Sequence, residues 1–261
     1  MKTTSKPKVT LIGAGPGDPD LITVKGVKAL EAATVVLYDA LISRELLKYA
    51  PNAIKIFVGK RKDFHRYSQD EINELMVKKA FQYGNVVRLK GGDPFIFGRG
   101  AEEVEYIESF NIETEVISGI SSSIAVPSSQ GISLTKRGVS ESLWVITGTT
   151  SKKQLSNDVY LAAKSTATVV ILMGMNKLTQ IVSVFKQVEK GDLPVAIIQN
   201  GTTKNEKLGL GTIDSILEVV KRNELSSPAI IVIGEVVKES TKLRSFYETS
   251  VLKFLSPKEN D

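Results

Sequence analysis

The sequence predicts an α/β protein: two α/β domains with mainly parallel or mixed sheets and a ligand cleft between them. Three observations predict it. Strand-like apolar runs alternate with helical patterns, the alternation lapses in a polar stretch and then restarts, and 261 residues are enough for two moderate domains. Hydrophobic residues at 42% and charged residues at 24% place the chain with globular rather than disordered proteins.

In the first half, "KVTLIGAG" (8–15) reads as a buried strand, followed by "TVVLYDA" (34–40), "IKIFVGK" (54–60) and "NVVRLKGG" (85–92). The clearest helix runs over 68–83. Ser68 and Glu71 make a capping box, and Ile72, Leu75, Met76, Ala80 and Tyr83 share a face. Glu74 stands one turn before Lys78. "ETEVI" is strand-like, and the serine-rich run at 118–129 starts a helix.

The pattern resumes with strands at 142–149, 168–174, 193–202, 207–213 and 228–237, and helices near 176–189 and 213–223. The join is "GISLTKRGVSES" (131–142), polar and poor in periodicity, which sets the domains at 1–134 and 135–261. Leu243, Phe246 and Tyr247 suit a short closing helix, and "SPKEND" a frayed end.

Composition excludes several chemistries. With no cysteine there is no disulfide, thiolate nucleophile or Cys-bearing metal site, and one histidine cannot form a His cluster. No metal is expected. The longest apolar runs, such as "ATVVILMGM" (167–175), fall well short of the roughly 20 residues of a membrane helix. "MKTTSKPK" lacks the apolar stretch of a signal peptide, so the expected location is cytoplasmic, without membrane partners. A net charge of +5 suits nucleic acid or a polyanionic small substrate alike. Only 7% of residues are aromatic, with one Trp, which argues against stacking on RNA; no nucleic-acid partner is expected.

Three turns draw attention. In "TLIGAGPGDPDLIT" (10–23), Gly13, Gly15 and Gly17 permit a sharp turn and a close backbone approach to a ligand. Asp18 occupies the position where the dinucleotide fingerprint needs glycine, and Pro16 removes an amide, so a Rossmann site is disfavoured. A tight strand-to-helix turn explains the same composition. In "RLKGGDPFIFGRGAEE" (88–103), Gly91 and Gly92 open the backbone, Asp93 offers a carboxylate, and Phe95, Ile96 and Phe97 place apolar surface in a loop. In "SGISSSIAVPSS" (118–129), Ser121 and Ser122 suit ligand contact and helix capping equally. Turns at the carboxyl ends of parallel strands are where open α/β sheets bind ligands.

Together these blocks, with "VVLYDALIS", "VGKRKDFHRYSQDEIN" and "QNGT" followed by "GLGTI", resemble in order and spacing the uroporphyrinogen-III C-methyltransferases of the tetrapyrrole methylase family. The resemblance covers nearly the whole chain and matches the stand-alone form rather than the fused sirohaem synthase. It implies the tetrapyrrole methylase fold, with S-adenosyl-L-methionine folded between the two domains, S-adenosyl-L-homocysteine as product, and a homodimer. The implied reaction methylates C2 and C7 of uroporphyrinogen III to precorrin-2, toward sirohaem and corrinoids. A methyltransferase acting on a later precorrin and a non-catalytic tetrapyrrole-binding protein are the alternatives.

Carried over by position, the resemblance implies cofactor contacts at Pro16, Gly91, Gly92, Asp93, Ile96, Ser121, Ser122, Met173 and Gly201. It puts a proton acceptor at Asp39 and a donor at Lys60. Asp39 is equally read as a strand-end turn residue. A macrocycle with acidic arms needs cations, for which Arg61, Arg66, Arg99, Lys136 and Arg137 are the candidates. His65 with Gln69 fits the family spacing, and equally an ordinary loop. Departures from the family pattern at Ser118, Ser128, Ser129, Gln130, Lys136 and Thr149 bear on substrate choice.

Overall fold

The computed structural model describes residues 6–59 and 67–245. Lys60, Arg61, His65, Arg66, Phe246 and Tyr247 lie outside the described residues. The chain separates into two compact units, one reaching Ser121 and the other beginning at Ser122, upstream of the expected join at 134.

In the first unit, strands β1 (Lys8–Gly13), β2 (Val35–Tyr38), β3 (Ile54–Phe57), β4 (Asn85–Lys90) and β5 (Glu113–Ile117) form one sheet in the order β3-β2-β4-β1-β5. All its pairings are parallel. The returns use helices α1 (Val24–Glu31), α2 (Gln69–Tyr83) and α3 (Gly100–Glu108), and α1 and α3 follow the glycine-rich turns. Helix α2 begins with the expected capping box of Ser68 and Glu71. It buries Ile72, Met76 and Ala80 against Val9, Leu11, Val35, Leu37 and Val86 of the sheet. Ile12, Val36, Val87 and Leu89 point to the opposite face, packing with Leu30 and Leu46. Strand alternation therefore assigns Val86, Arg88 and Lys90 to the face covered by α2 and α3.

In the second unit, helix α4 (Ser122–Ser129) precedes β6 (Leu143–Thr147), α5 (Asp158–Lys164), β7 (Thr168–Leu172), α6 (Leu178–Gln187), β8 (Pro194–Gln199), β9 (Lys207–Thr212), α7 (Ile216–Arg222) and β10 (Ala229–Ile233). The sheet order is β6-β7-β10-β8-β9. Only β6 and β7 pair in parallel; the final strand enters antiparallel between β7 and β8, and β9 returns antiparallel on β8. This is the mixed form of the expected sheet, since the short link between β8 and β9 has no room for a crossover helix. Phe185, Ile181, Ile171 and Ile231 fill one face, and Val126, Ile132, Val170, Ala196 and Val232 the other. Leu243 is buried in that second cluster. Among the described residues no helix is long and apolar enough to cross a membrane.

Candidate active site

Because the first sheet is wholly parallel, the turns after β1, β2, β4 and β5 all leave from its carboxyl edge. Three of them meet backbone to backbone. A Cβ added to Gly13 would lie 2.4 Å from the amide of Gly119 and 2.6 Å from the carbonyl of Gly92, and one added to Gly119 would lie 2.3 Å from that same carbonyl. Gly15 and Gly92 exchange hydrogen bonds, with Gly92 donating to the Gly15 carbonyl at 2.7 Å. Glycine is thus required here by close approach. The Gly/Pro turn that the sequence leaves open between ligand site and simple connector ties three loops together, with Pro16 beside the junction.

Asp93 fastens the same junction. Its Oδ1 accepts from the Phe95 amide at 2.8 Å and its Oδ2 from the Gly119 amide at 3.0 Å, so this cofactor candidate also braces two loops. Beyond it the chain coils tightly, with Phe97 and Arg99 at φ of 53° and 59°. Such φ values in non-glycine residues mark strain of the kind found at sites. Phe95, Ile96 and Phe97 stay exposed. Helix α4 starts at Ser122, which leaves buried Ser121 at the preceding, capping position.

Asp39 stands just past β2, and its Oδ1 accepts from Arg88 Nη2 at 2.8 Å. Arg88 is 2% exposed, and its Nε donates to Glu103 Oε1 at 3.2 Å. The same Glu103 oxygen also accepts from Lys90 Nζ at 2.9 Å and Gln69 Nε2 at 3.0 Å. Glu103 Oε2 is buried with no hydrogen-bond partner among the described residues. Burial pushes the Lys90 ammonium below its ordinary value, and neighbouring Arg88 adds to this against the pull of Glu103 and Asp39. For Arg88 burial acts downward, but Asp39 and Glu103 outweigh it and hold the guanidinium above its ordinary value. Arg88, Lys90 and Glu103 were not anticipated from the sequence. The available signal was two charges at alternating positions of a strand that otherwise reads as buried.

In the second unit, β7 and β8 both run antiparallel to β10, so Met173 and the Gly201 loop leave the same edge of their sheet. Met173 is 53% exposed at φ 55°, and its carbonyl accepts from Thr149 Oγ1 at 2.9 Å. Gly201 is buried against α4, where a Cβ would lie 2.3 Å from Val126 Cγ1. A cavity of about 440 Å³, lined by Tyr160, Lys177, Gln180 and Val184 among others, contains none of the candidate residues.

Of the anticipated substrate cations, Arg99, Lys136 and Arg137 lie within the described residues. Arg99 is engaged by Glu102, with Nε to Oε1 at 2.9 Å and Nη2 to Oε2 at 2.5 Å. Lys136 is paired with Glu239 at 2.5 Å, and Arg137 is exposed beside it in the tight turn that joins Lys136 to Ser140.

Residues 8–217 match the family described as Tetrapyrrole (Corrin/Porphyrin) Methylases. The chain is a tetrapyrrole methylase. The methylase is 50% identical over 233 residues to the uroporphyrinogen-III C-methyltransferase of Methanocaldococcus jannaschii, covering 88% of this chain and 96% of that one. It is 42% identical over 242 residues to the enzyme of the same name from Bacillus subtilis, covering 92% and 94%. Its fold matches that of Thermus thermophilus uroporphyrin-III C-methyl transferase, solved with S-adenyl homocysteine, at a TM-score of 0.77 and 33% identity over 89% of this chain and 99% of that one.

Proposed function

We propose that the methylase transfers methyl groups from S-adenosyl-L-methionine to C2 and C7 of uroporphyrinogen III, giving precorrin-2 and S-adenosyl-L-homocysteine. The observation that carries this is the near full-length similarity, at 50% identity, to an enzyme named for that substrate. A homodimer in the cytoplasm is the proposed setting.

The residues fit a sulfonium cofactor. A Cβ added to Gly91 would lie 3.0 Å from Leu41 Cβ, so the turn after β4 passes close to the turn after β2 with no side chain of its own there. No exposed lysine or arginine lies between Gly91 and Gly98 to oppose a cation. Pro16, Gly91, Gly92, Asp93, Ile96, Ser121 and Ser122 from the first unit, and Met173 and Gly201 from the second, would hold the cofactor. When bound, S-adenosyl-L-methionine supplies an electrophilic methyl group. The chain's contribution is alignment and the management of protons. Asp39, held by Arg88 at Oδ1, would accept the proton released as the methylated pyrrole rearranges. Lys60 is the proposed donor, and Arg61, Arg66, Arg99, Lys136 and Arg137 would receive the acidic arms of the macrocycle.

Anaerobic incubation with uroporphyrinogen III and methyl-labelled S-adenosyl-L-methionine tests this by mass and absorption of the tetrapyrrole. Two added methyl groups are expected. Transfer to a later precorrin but not to uroporphyrinogen III would overturn the substrate assignment.

A further inference from the structure

We propose that Arg88 is a positioning residue for this reaction: from inside the first sheet it fixes the carboxylate of Asp39, while Glu103 and Lys90 fix Arg88. The proposal rests on the reading of Asp39 as proton acceptor given above.

The argument begins with charge. Arg88, Lys90 and Glu103 are each at most 4% exposed, two cations and one anion. By formal charge the trio carries one excess cation, and Asp39, with its side chain 27% exposed, is the further carboxylate paired with Arg88. Burying charge in this way does not earn its place through stability. Replacing a buried ionic cluster by apolar groups of similar volume is often neutral or stabilising. A group of this kind needs another reason, and the geometry supplies one.

Glu103 Oε1 collects Arg88 Nε, Lys90 Nζ and Gln69 Nε2, so it is held by donors from β4 and α2 as well as by its own helix. Arg88 is pinned at Nε, its Nη1 donates to the Leu89 carbonyl at 3.4 Å, and the remaining Nη2 faces Asp39. A guanidinium anchored along one edge cannot swing, and neither can the carboxylate it holds. Asp39 is tied at its backbone too, its amide donating to the Leu89 carbonyl at 3.3 Å. Among the described residues only Oδ1 of Asp39 is engaged. Oδ2 is left to take a proton in a fixed direction.

A double-mutant cycle tests the proposal. Asp39→Asn, Arg88→Lys and the double variant are compared in kcat, in KM for uroporphyrinogen III and in calorimetric affinity for S-adenosyl-L-homocysteine. Each single variant is expected to lose on the order of 10- to 100-fold in kcat. Affinity for S-adenosyl-L-homocysteine is expected to stay unchanged. In the Asp39→Asn background, Arg88→Lys should cost no further kcat, because its target is gone. A purely structural Arg88 would instead give losses that multiply, overturning the proposal while leaving Asp39 in its role. An impaired Asp39→Asn with a fully active Arg88→Lys has the same meaning. Full kcat in Asp39→Asn overturns both readings. Should Arg88→Lys fail to fold, Glu103→Gln, which loosens Arg88 without removing it, takes its place in the cycle and is read in the same way.

Discussion

Asp93 offers a sharp test of how the loop junction is held. Its carboxylate accepts two backbone hydrogen bonds, at 2.8 Å from Phe95 and 3.0 Å from Gly119, the second linking the turn after β4 to the turn after β5. A hydrogen bond to a charged group contributes about 1.5–3 kcal/mol. The side chain is half-buried, so the lower end applies to each bond, and Asp93→Ala should destabilise the junction by roughly 2–4 kcal/mol. Asp93→Asn keeps one acceptor oxygen but turns an NH2 toward the other amide, and should lose about half as much. Amide hydrogen exchange reads this locally. In Asp93→Ala the Gly119 amide should exchange roughly 30- to 700-fold faster, the same free energy expressed as an opening equilibrium. Calorimetric affinity for S-adenosyl-L-homocysteine should fall in the same order, alanine more than asparagine. Unchanged protection at Gly119 in both variants would refute the bracing role. Lost affinity with protection intact would make Asp93 a direct ligand contact instead.

Four further substitutions test other contacts. Gly119→Ala meets only backbone at 2.3–2.6 Å and should destabilise the first unit by about 3 kcal/mol or more, read in denaturant melts. Gly138→Ala, at φ 76° with open space around it, should lose only about 1 kcal/mol; equal losses would discredit the packing argument. Thr149→Val removes the bond to the Met173 carbonyl, worth roughly 0.5–1.5 kcal/mol, and should weaken S-adenosyl-L-homocysteine binding; calorimetry showing wild-type affinity would detach Thr149 from the site. Glu115 is held below the usual carboxylate range by its hydrogen bonds to Lys25 and Lys8. A depressed carboxylate stabilises the fold above its unfolded value near 4.5 and loses that stabilisation as pH falls below it. Glu115→Gln should therefore flatten the acid limb of the stability profile, and an unaltered limb would count against the pairing.

The first sheet was legible because its strands are short apolar runs bounded by glycine turns, and α2 because its capping box and apolar face agree. The order β3-β2-β4-β1-β5 was not legible, since nothing local in "TVVLYDA" or "NVVRLKGG" records which strand lies beside which. Helix α5 escaped notice because its seven residues offer too few turns for a periodicity to stand out. The glycine turns were readable as special places, yet the contact of Gly13 with Gly119 joins positions far apart in sequence and only the fold reveals it. The domain join differs because α4 reads as the helix that follows "ETEVI", and the polar stretch after it at 131–142 carries the stronger linker signal. Asp93 was visible as a carboxylate, but not as a brace. Of the Arg88 cluster, only Gln69 and Asp39 drew attention, and for other reasons.

The charged groups on this chain fall into two kinds, and the difference bears on what each can do. Arg88 touches two carboxylates and Glu103 receives three donors, and Arg88, Lys90 and Glu103 are themselves nearly excluded from water, so breaking a contact among these three strands a buried charge. Such groups hold still. Among the described residues Arg99 and Lys136 are each ion-paired with one carboxylate, Glu102 and Glu239, and both pairs are substantially exposed. An exposed pair contributes about 0–1 kcal/mol, so a polyanion can take the cation from its carboxylate at little expense. Pairing in the free protein is therefore no argument against a role in binding acidic arms, and it gives that binding a built-in competitor and a dependence on salt. Charges that orient a proton acceptor need several buried partners, whereas charges that must capture and release a substrate are better served by a single exposed one. By that physical criterion, Arg88 suits the proposed orientation of Asp39, and Arg99 and Lys136 suit the proposed exchangeable contacts with acidic arms.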